Sequence, residues 1–267
     1  MKQAQPRELV RASVDRNEDL GGGCRLLGLR LAPPASALAV EPGQFFMVRG
    51  PWGKHPMLPR AFSALWAEGD GLELLVKVVG HGTRLLGALE RGASVSLLGP
   101  LGCPFPPSST EALDLLIGGG SGIPPLCMQA RRASKAGLGS QVEIVYGGRS
   151  GADLPLLARL EELGVAVFPC TEDGSLGSKG LVTDVLLERL AARGGAARVM
   201  ACGPLGMLRA IGALSRERDI PCFLSLETGM ACGVGLCRGC VVPRADGRGY
   251  LCTCTEGPVV DAREVRL

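Results

Sequence analysis

The chain has 267 residues, 46% of them hydrophobic and 21% charged, with a formal net charge of +3. That composition is globular, with room for two domains or for one large domain and an appendage, and so small a charge argues against a nucleic-acid or membrane-binding surface. The first twenty residues scatter charges without an apolar run of signal-peptide length, and no later stretch reaches about 18 uninterrupted apolar residues, so a cytoplasmic protein with no membrane partner is expected.

In chain order, three regions differ in character. Residues 1–105 carry short apolar runs, CRLLGLRL (24–31), QFFMV (44–48), AFSALW (61–66), LELLVKVVG (72–80) and ASVSLLG (93–99), separated by Gly/Pro turns. They predict a small antiparallel β-barrel. Residues 106–222 change rhythm to strand, glycine turn, helix, repeated: LDLLI before GGGSGIPPLCMQARRAS, VEIVYGG before LPLLARLEELG, VAVFPC before LVTDVLLERLAARG, RVMACG before PLGMLRAIGAL. Such alternation predicts parallel strands with crossover helices, a doubly wound α/β sheet. Residues 223–267 hold few helix signals and too little apolar surface for a core of their own, which predicts a loop-rich domain shaped by a metal.

Within the second region, the strand LDLLI runs into Gly118, Gly119, Gly120, Ser121 and Gly122, and Pro124 and Pro125 stand where a helix could begin. Bare backbone N–H groups at such a start suit a pyrophosphate, although the turn by itself fits close packing equally well. A later strand ends in Cys202-Gly203-Pro204 and puts a second turn on the same carboxyl edge, where open α/β sheets bind ligands. Two turns on one edge favour a dinucleotide. In the first region, Arg60 opens a strand, and Gly82 and Thr83 open the helix TRLLGALE. The arginine offers a bidentate phosphate ligand, and the helix start offers N–H and hydroxyl donors. Arg60 alone reads equally as a surface ion-pair residue. His81 and His55, the two histidines, read as loop residues, so no histidine-based triad and no catalytic proton-transfer residue is assigned.

Eleven cysteines in a reducing compartment argue for metal or redox chemistry rather than a disulfide framework. Cys24, Cys103, Cys127, Cys170, Cys202 and Cys222 stand singly and read as small buried hydrophobes. The other five lie between 232 and 254. Cys232, Cys237 and Cys240 give C-x4-C-x2-C, the order of plant-type [2Fe–2S] loops, and Gly233, Gly235 and Gly239 leave room for sulfides and let amides point at sulfur. Arg238 is either a further offset to the cluster's negative charge or a solvated surface residue. Zinc is the competing reading, but zinc loops ordinarily use C-x2-C pairs. Spacing does not separate Cys252 from Cys254 as the fourth ligand.

The ordered set R-A-F-S, G-H-G-T, L-I-G-G-G-S-G-I-P-P-L, T-E-D-G-S-L-G-S-K-G, A-C-G-P-L-G-M and S-L-E-T-G-M-A-C-G-V-G-L-C-R-G-C-V, ending in C-T-E-G-P-V, resembles the electron-transfer subunits of type B dihydroorotate dehydrogenases, within the ferredoxin-NADP reductase superfamily. The resemblance spans nearly the whole chain. It implies an FAD-binding barrel (1–105), an NAD-binding α/β domain (106–222) and a C-terminal [2Fe–2S] domain (223–267). It also implies a heterotetramer with an FMN-containing dihydroorotate dehydrogenase catalytic subunit, in pyrimidine synthesis.

By the same likeness, Arg60, Ala61, Phe62 and Ser63 line the flavin, with Arg60 toward phosphate and Ser63 toward the isoalloxazine, and Lys77, Val78, Val79, Gly82 and Thr83 hold more of the FAD. Gly118, Gly119, Gly120, Gly122, Cys202, Gly203 and Pro204 are the candidates for NAD. Cys254 becomes the fourth metal ligand beside Cys232, Cys237 and Cys240, because the family's last ligand precedes x-x-G-P-V, and Cys252 becomes a bystander. Ala61 replaces a proline common in the family. Arg149 could meet a 2′-phosphate, whereas Glu172 and Asp173 favour a free ribose. The rival readings are an NAD(P)H-dependent reductase subunit serving a hydrogenase, sulfite reductase or oxygenase, and a zinc-stabilised interaction module without enzymatic activity.

Overall fold

A computed structural model describes residues 8–33 and 38–267, so the part of the expected barrel domain at 1–7 and 34–37 lies outside the described residues. The barrel strands are β1 (Glu8–Gly21), β2 (Cys24–Leu31), β3 (Phe45–Arg49), β4 (Arg60–Glu68), β5 (Gly71–Lys77) and β6 (Ser94–Leu101), closed in the order β1-β2-β5-β4-β3-β6. Every pair is antiparallel. Five of the six coincide with the apolar runs. β1 does not, because its inward residues Val10, Ala12 and Val14 alternate with Arg11, Ser13 and Asp15, and charges mask the period-2 pattern. A short helix, α1 (His81–Gly87), follows β5.

The second unit is a seven-stranded sheet of order β10-β9-β8-β7-β11-β12-β15. Its central strand β7 (Leu113–Gly119) is buried along its whole length, as a strand covered on both faces must be. It lies between β8 (Val142–Gly148) and β11 (Ala197–Cys202), both parallel to it. β9 (Ala166–Thr171) and the two-residue β10 (Ser178–Lys179) extend one side, and β12 (Cys222–Ser225) extends the other. The crossover helices are α2 (Pro124–Lys135), α3 (Leu157–Glu161), α4 (Val182–Arg193) and α5 (Leu205–Glu217). Strand order reverses between β7 and β11, which opens a crevice at the carboxyl ends of these two strands.

The cysteine-bearing segment is less of an appendage than its composition predicts. It forms one hairpin, β13 (Val241–Pro243) with β14 (Tyr250–Cys252), and its last strand, β15 (Val259–Asp261), joins the sheet antiparallel to β12. Cys240, Cys252 and Cys254 are buried against Phe45, Met47 and Leu101 of the barrel. The Cys103 amide donates to the Gly257 carbonyl and seals this seam.

Polar clamps join the barrel to the sheet domain. Glu73 on β5 accepts from Arg16 of β1 and from Arg159 of α3, the latter at 2.8 Å. Trp66 on β4 carries the Arg131 guanidinium and the Lys135 ammonium of α2 over its ring, and Glu68 pairs with both cations. Within the sheet domain, Glu143 on β8 is 2% exposed and accepts from Arg189 at 2.9 Å and Arg193 at 2.7 Å, fixing α4 to the sheet. Burial opposes ionisation of Glu143, but the two arginines prevail and hold its carboxyl below the usual range.

Glu143→Ala leaves two arginines facing a buried gap and is expected to cost about 3 kcal/mol in urea unfolding at neutral pH. Because the folded-state pKa is lowered, Glu143's contribution is complete above the ordinary glutamate range and disappears as pH falls through the lowered value. The stability difference between wild type and variant should therefore shrink on acidification.

Candidate functional site

Two cavities meet where the barrel faces the crevice of the sheet. The first, about 660 Å³, lies over the carboxyl ends of β7 and β11 and is lined by Gly119, Gly120, Gly122, Gly203 and Pro204. Its floor needs glycine for a steric reason. A Cβ on Gly122 would fall 2.7 Å from the Cα of Gly203, and one on Gly203 would fall 3.0 Å from the Cα of Gly119, so the two turns touch backbone to backbone. Gly118 does not line this cavity: its Cβ position faces the Ile123 side chain at 2.3 Å, which makes it a packing residue. Cys202 lies just below the floor, 1% exposed, its thiol pushed up by burial and then by the nearby Glu227 carboxylate.

At the far end of the same cavity stand Arg149, Asp153 and Glu172. Arg149 is paired with Asp153 at 3.6 Å. Asp173 instead accepts from the Ser175 amide and hydroxyl, at 2.9 and 2.6 Å, and does not face the cavity.

The second cavity, about 370 Å³, is lined by Arg60, Ala61, Phe62, Ser63, Lys77, Val79 and Thr83 from the barrel, and by Ser121, Gly122 and Pro124 from the sheet domain. Strand β4 brings the first four residues there in register with Phe45–Val48 of β3. Gly82 lies beneath the Arg60 guanidinium, and its Cβ position is 2.2 Å from that group's central carbon. The guanidinium and the first-turn amides of α1, which have no intrahelical acceptor, thus stack in one place.

Two of the expected residues are also tied into the fold here. The Thr83 hydroxyl accepts from the amides of Val79 and Gly80, each at 3.0 Å, and donates to the Gly80 carbonyl at 3.1 Å, so it ties the turn together. Val78 does not line the cavity; its amide donates to Gly23 and its side chain lies near Gly87.

Glu227, which sequence reasoning passed over, lines both cavities. Solvent reaches it through the open crevice, yet protein crowds it enough that burial raises its pKa. Its only signal in the sequence was its place in S-L-E-T-G-M. Ser121 and Lys77 also face both cavities.

The thiols gather next to the second cavity, with Phe45 and Met230 belonging both to its wall and to the apolar cluster that contains Cys240, Cys252 and Cys254. In the loop from 232 to 240, Gly233 and Gly235 have φ of 72° and 81°. This conformation turns amides toward sulfur. Val234 and Cys237 each donate to Cys232 Sγ at 3.5 Å, and Gly235 donates to Cys254 Sγ at 3.1 Å. Arg238, at φ 53°, and Leu236, 84% exposed, face outward beside the exposed Cys237.

The amides of Cys237 and Val234 hold the Cys232 thiol down to about 6, whereas burial pushes the Cys254 thiol up. Among the scattered cysteines, five are buried; burial raises all five pKa values, to about 12 at Cys127 and about 11 at Cys170 and Cys222. They are inert small hydrophobes. Cys103 is half-buried, its thiol 3.6 Å from the Thr255 carbonyl.

These donor sets fit the groups that the sequence implies. The structure brings the sulfurs of Cys240, Cys252 and Cys254 within 4.8 Å of one another and leaves Cys232 and Cys237 outside that group, and amides aimed at the Cys232 and Cys254 sulfurs suit a cluster whose sulfurs carry excess negative charge. Side-chain-free turns at a strand edge suit pyrophosphates. Barrel, doubly wound sheet and thiol loop together define a flavin- and nicotinamide-dependent reductase with an iron–sulfur centre.

Comparison with known proteins narrows the class. The family models match in chain order: the oxidoreductase FAD-binding domain over residues 11–104, the oxidoreductase NAD-binding domain over 116–212, and the iron-sulfur cluster binding domain of dihydroorotate dehydrogenase B over 227–266. The chain is 37% identical over 241 residues to the probable dihydroorotate dehydrogenase B (NAD(+)) electron transfer subunit of Methanopyrus kandleri, covering 90% of this chain and 86% of the relative. It is 35% identical to the corresponding homolog of Aquifex aeolicus, covering 97% and 98% of the two chains. The chain belongs to the family of dihydroorotate dehydrogenase B electron transfer subunits.

Among solved structures, an NADH-dependent reduced ferredoxin-NADP oxidoreductase superposes with a TM-score of 0.82 at 25% identity, covering 100% of this chain and 91% of that one. An Amycolatopsis cytochrome P450 reductase gives 0.68 at 30% identity, covering 80% and 68%. Among the described residues, no helix is long and apolar enough to cross a membrane.

In protein prepared without metal, the lowered pKa leaves Cys232 mostly thiolate above about pH 6. Iodoacetamide labelling followed by peptide mass spectrometry should give a half-maximal rate at Cys232 near that pH, while Cys127 stays unlabelled in the folded chain at neutral pH.

Proposed function

We propose that this chain takes electrons from an FMN-containing, dihydroorotate-oxidising subunit at its thiol loop and delivers them through the barrel cavity to NAD in the sheet crevice. The observation that carries this reading is the shared wall: Phe45 and Met230 join the thiols to the second cavity, and Glu227, Ser121 and Gly122 join the second cavity to the first. When bound, an iron–sulfur cluster supplies one-electron chemistry, a nicotinamide two-electron hydride chemistry, and a flavin both.

The residues of the chain hold and orient. Cys232, Cys237, Cys240 and Cys254 are the thiolates for the cluster, with the amides of Val234, Gly235 and Cys237 offsetting charge at sulfur. Arg60, seated on Gly82, meets the FAD pyrophosphate with the α1 amides, while Ala61, Phe62, Ser63, Lys77 and Val79 line the rest of the flavin cavity. Gly119, Gly120, Gly122, Gly203 and Pro204 receive the NAD pyrophosphate and nicotinamide. Glu172 meets a free ribose diol, which supports NAD over NADP, while Arg149 is solvent-exposed and only loosely paired with Asp153. The chain functions in the cytoplasm, in pyrimidine synthesis, as part of a complex of two catalytic and two electron-transfer subunits.

Mixing the purified chain with an FMN-loaded catalytic subunit should produce dihydroorotate-dependent NADH formation at 340 nm and a light-scattering mass of two plus two. No NADH from a mixture in which both proteins carry their cofactors would overturn the reading. Arg60→Ala and Gly82→Ala should each weaken FAD retention about tenfold, the loss of roughly one charge-assisted hydrogen bond. The double variant should be little worse than either single one in equilibrium dialysis, because both changes remove the same seated guanidinium. Glu227→Ala should slow NADH-dependent flavin bleaching about tenfold, with Glu227→Gln close to wild type if hydrogen bonding rather than charge is what Glu227 contributes.

A further inference from the structure

Cys252 takes no part in the function above, yet its thiol is packed against Cys240. Its Sγ lies 3.4 Å from Cys240 Sγ and 3.6 Å from Cys254 Sγ. The three sulfurs lie within 4.8 Å of one another, and no other trio of His, Cys, Asp or Glu ligand atoms gathers in this way among the described residues. Two thiolates on one tetrahedral metal, with bonds of about 2.3 Å, sit about 3.8 Å apart. Cys252 therefore already stands at ligand spacing from Cys240.

The chain fixes it there. Cys252 ends β14, and the turn that follows brings Cys254 back so that the two sulfurs lie 3.6 Å apart. Thr253, between them, donates its hydroxyl to the Cys240 carbonyl at 2.8 Å and is bonded to the Thr228 hydroxyl at 2.7 Å. The Cys252 amide donates to Glu256 at 2.7 Å, and its carbonyl accepts from the amides of Thr255 and Glu256. These bonds fix the backbone at 252 and so the place where its sulfur stands.

We propose that Cys252 is an alternative closing ligand: the iron held by Cys240 can be completed by Cys252 in place of Cys254. The exchange breaks one iron–thiolate bond and forms another. The proton released by Cys252 passes to the departing Cys254, so charge and electron count are unchanged and no oxidant is needed. The inference rests on the reading that Cys232, Cys237, Cys240 and Cys254 hold a [2Fe–2S] cluster.

The test uses the full chain, reconstituted anaerobically with ferrous iron and sulfide, and reads iron, sulfide and FAD content together with visible and EPR spectra. Cys254→Ala is expected to keep about two irons and two sulfides per chain, with shifted g-values, because a different thiolate closes the cluster. Adding Cys252→Ala to it should lower the iron content about tenfold while FAD stays stoichiometric, which reports an intact barrel. Loss of the cluster from Cys254→Ala alone, with FAD retained, overturns the proposal, and so does a double variant that keeps as much cluster as Cys254→Ala. A wild-type chain that holds FAD but takes up no [2Fe–2S] cluster overturns the underlying ligand reading as well.

Discussion

The thiols can converge only because the segment that carries them is packed between two larger bodies. Cys240, Cys252 and Cys254 have too few apolar neighbours of their own, and Phe45, Met47 and Leu101 of the barrel complete their surroundings. On the other side, Val259–Asp261 is held by the ladder to β12, which fixes the chain immediately after the Cys254 turn. The gathering of sulfur is thus a tertiary property: the barrel wall and the sheet edge impose it on a segment that hydrophobic burial alone would leave unfolded.

The same packing brings the thiols and the two cavities into one row. The β7 and β11 turns can meet backbone to backbone only with glycine at 119, 122 and 203, and this contact sets the floor of the crevice at the point where strand order reverses. Helix α2 starts from that floor with Pro124, which faces the second cavity, and ends with Arg131 and Lys135 over Trp66 of the barrel. One helix therefore registers the nucleotide crevice against the barrel. The Glu73 clamp to Arg159 adds a second tie at a different height on the interface.

Much of this was legible in the residues. Short apolar runs between Gly/Pro turns pointed to five barrel strands, and the strand-turn-helix rhythm to the central sheet, because both patterns report local burial. β1 was hidden by its charges, and β12 and β15 by their brevity: four and three residues, respectively, are too few to establish a period. At the site, type and spacing pointed to Arg60, Gly122, Gly203 and the thiol loop, since each carries its chemistry in its own identity. What could not be read was orientation. Val78, Gly118 and Cys202 sit in the right motifs but line neither cavity, and the Thr83 hydroxyl is used up within its own turn. Glu227 had only its place in S-L-E-T-G-M to mark it, because the two cavities it lines meet only in three dimensions.

Trp66, one of two tryptophans, sits at the junction of β4 and α2 with two cations over its ring. An indole in that position is an intrinsic optical gauge of the seam. Its emission changes if the barrel and the nucleotide domain part even slightly, so relative movement of the two halves during turnover can be followed without attaching a dye.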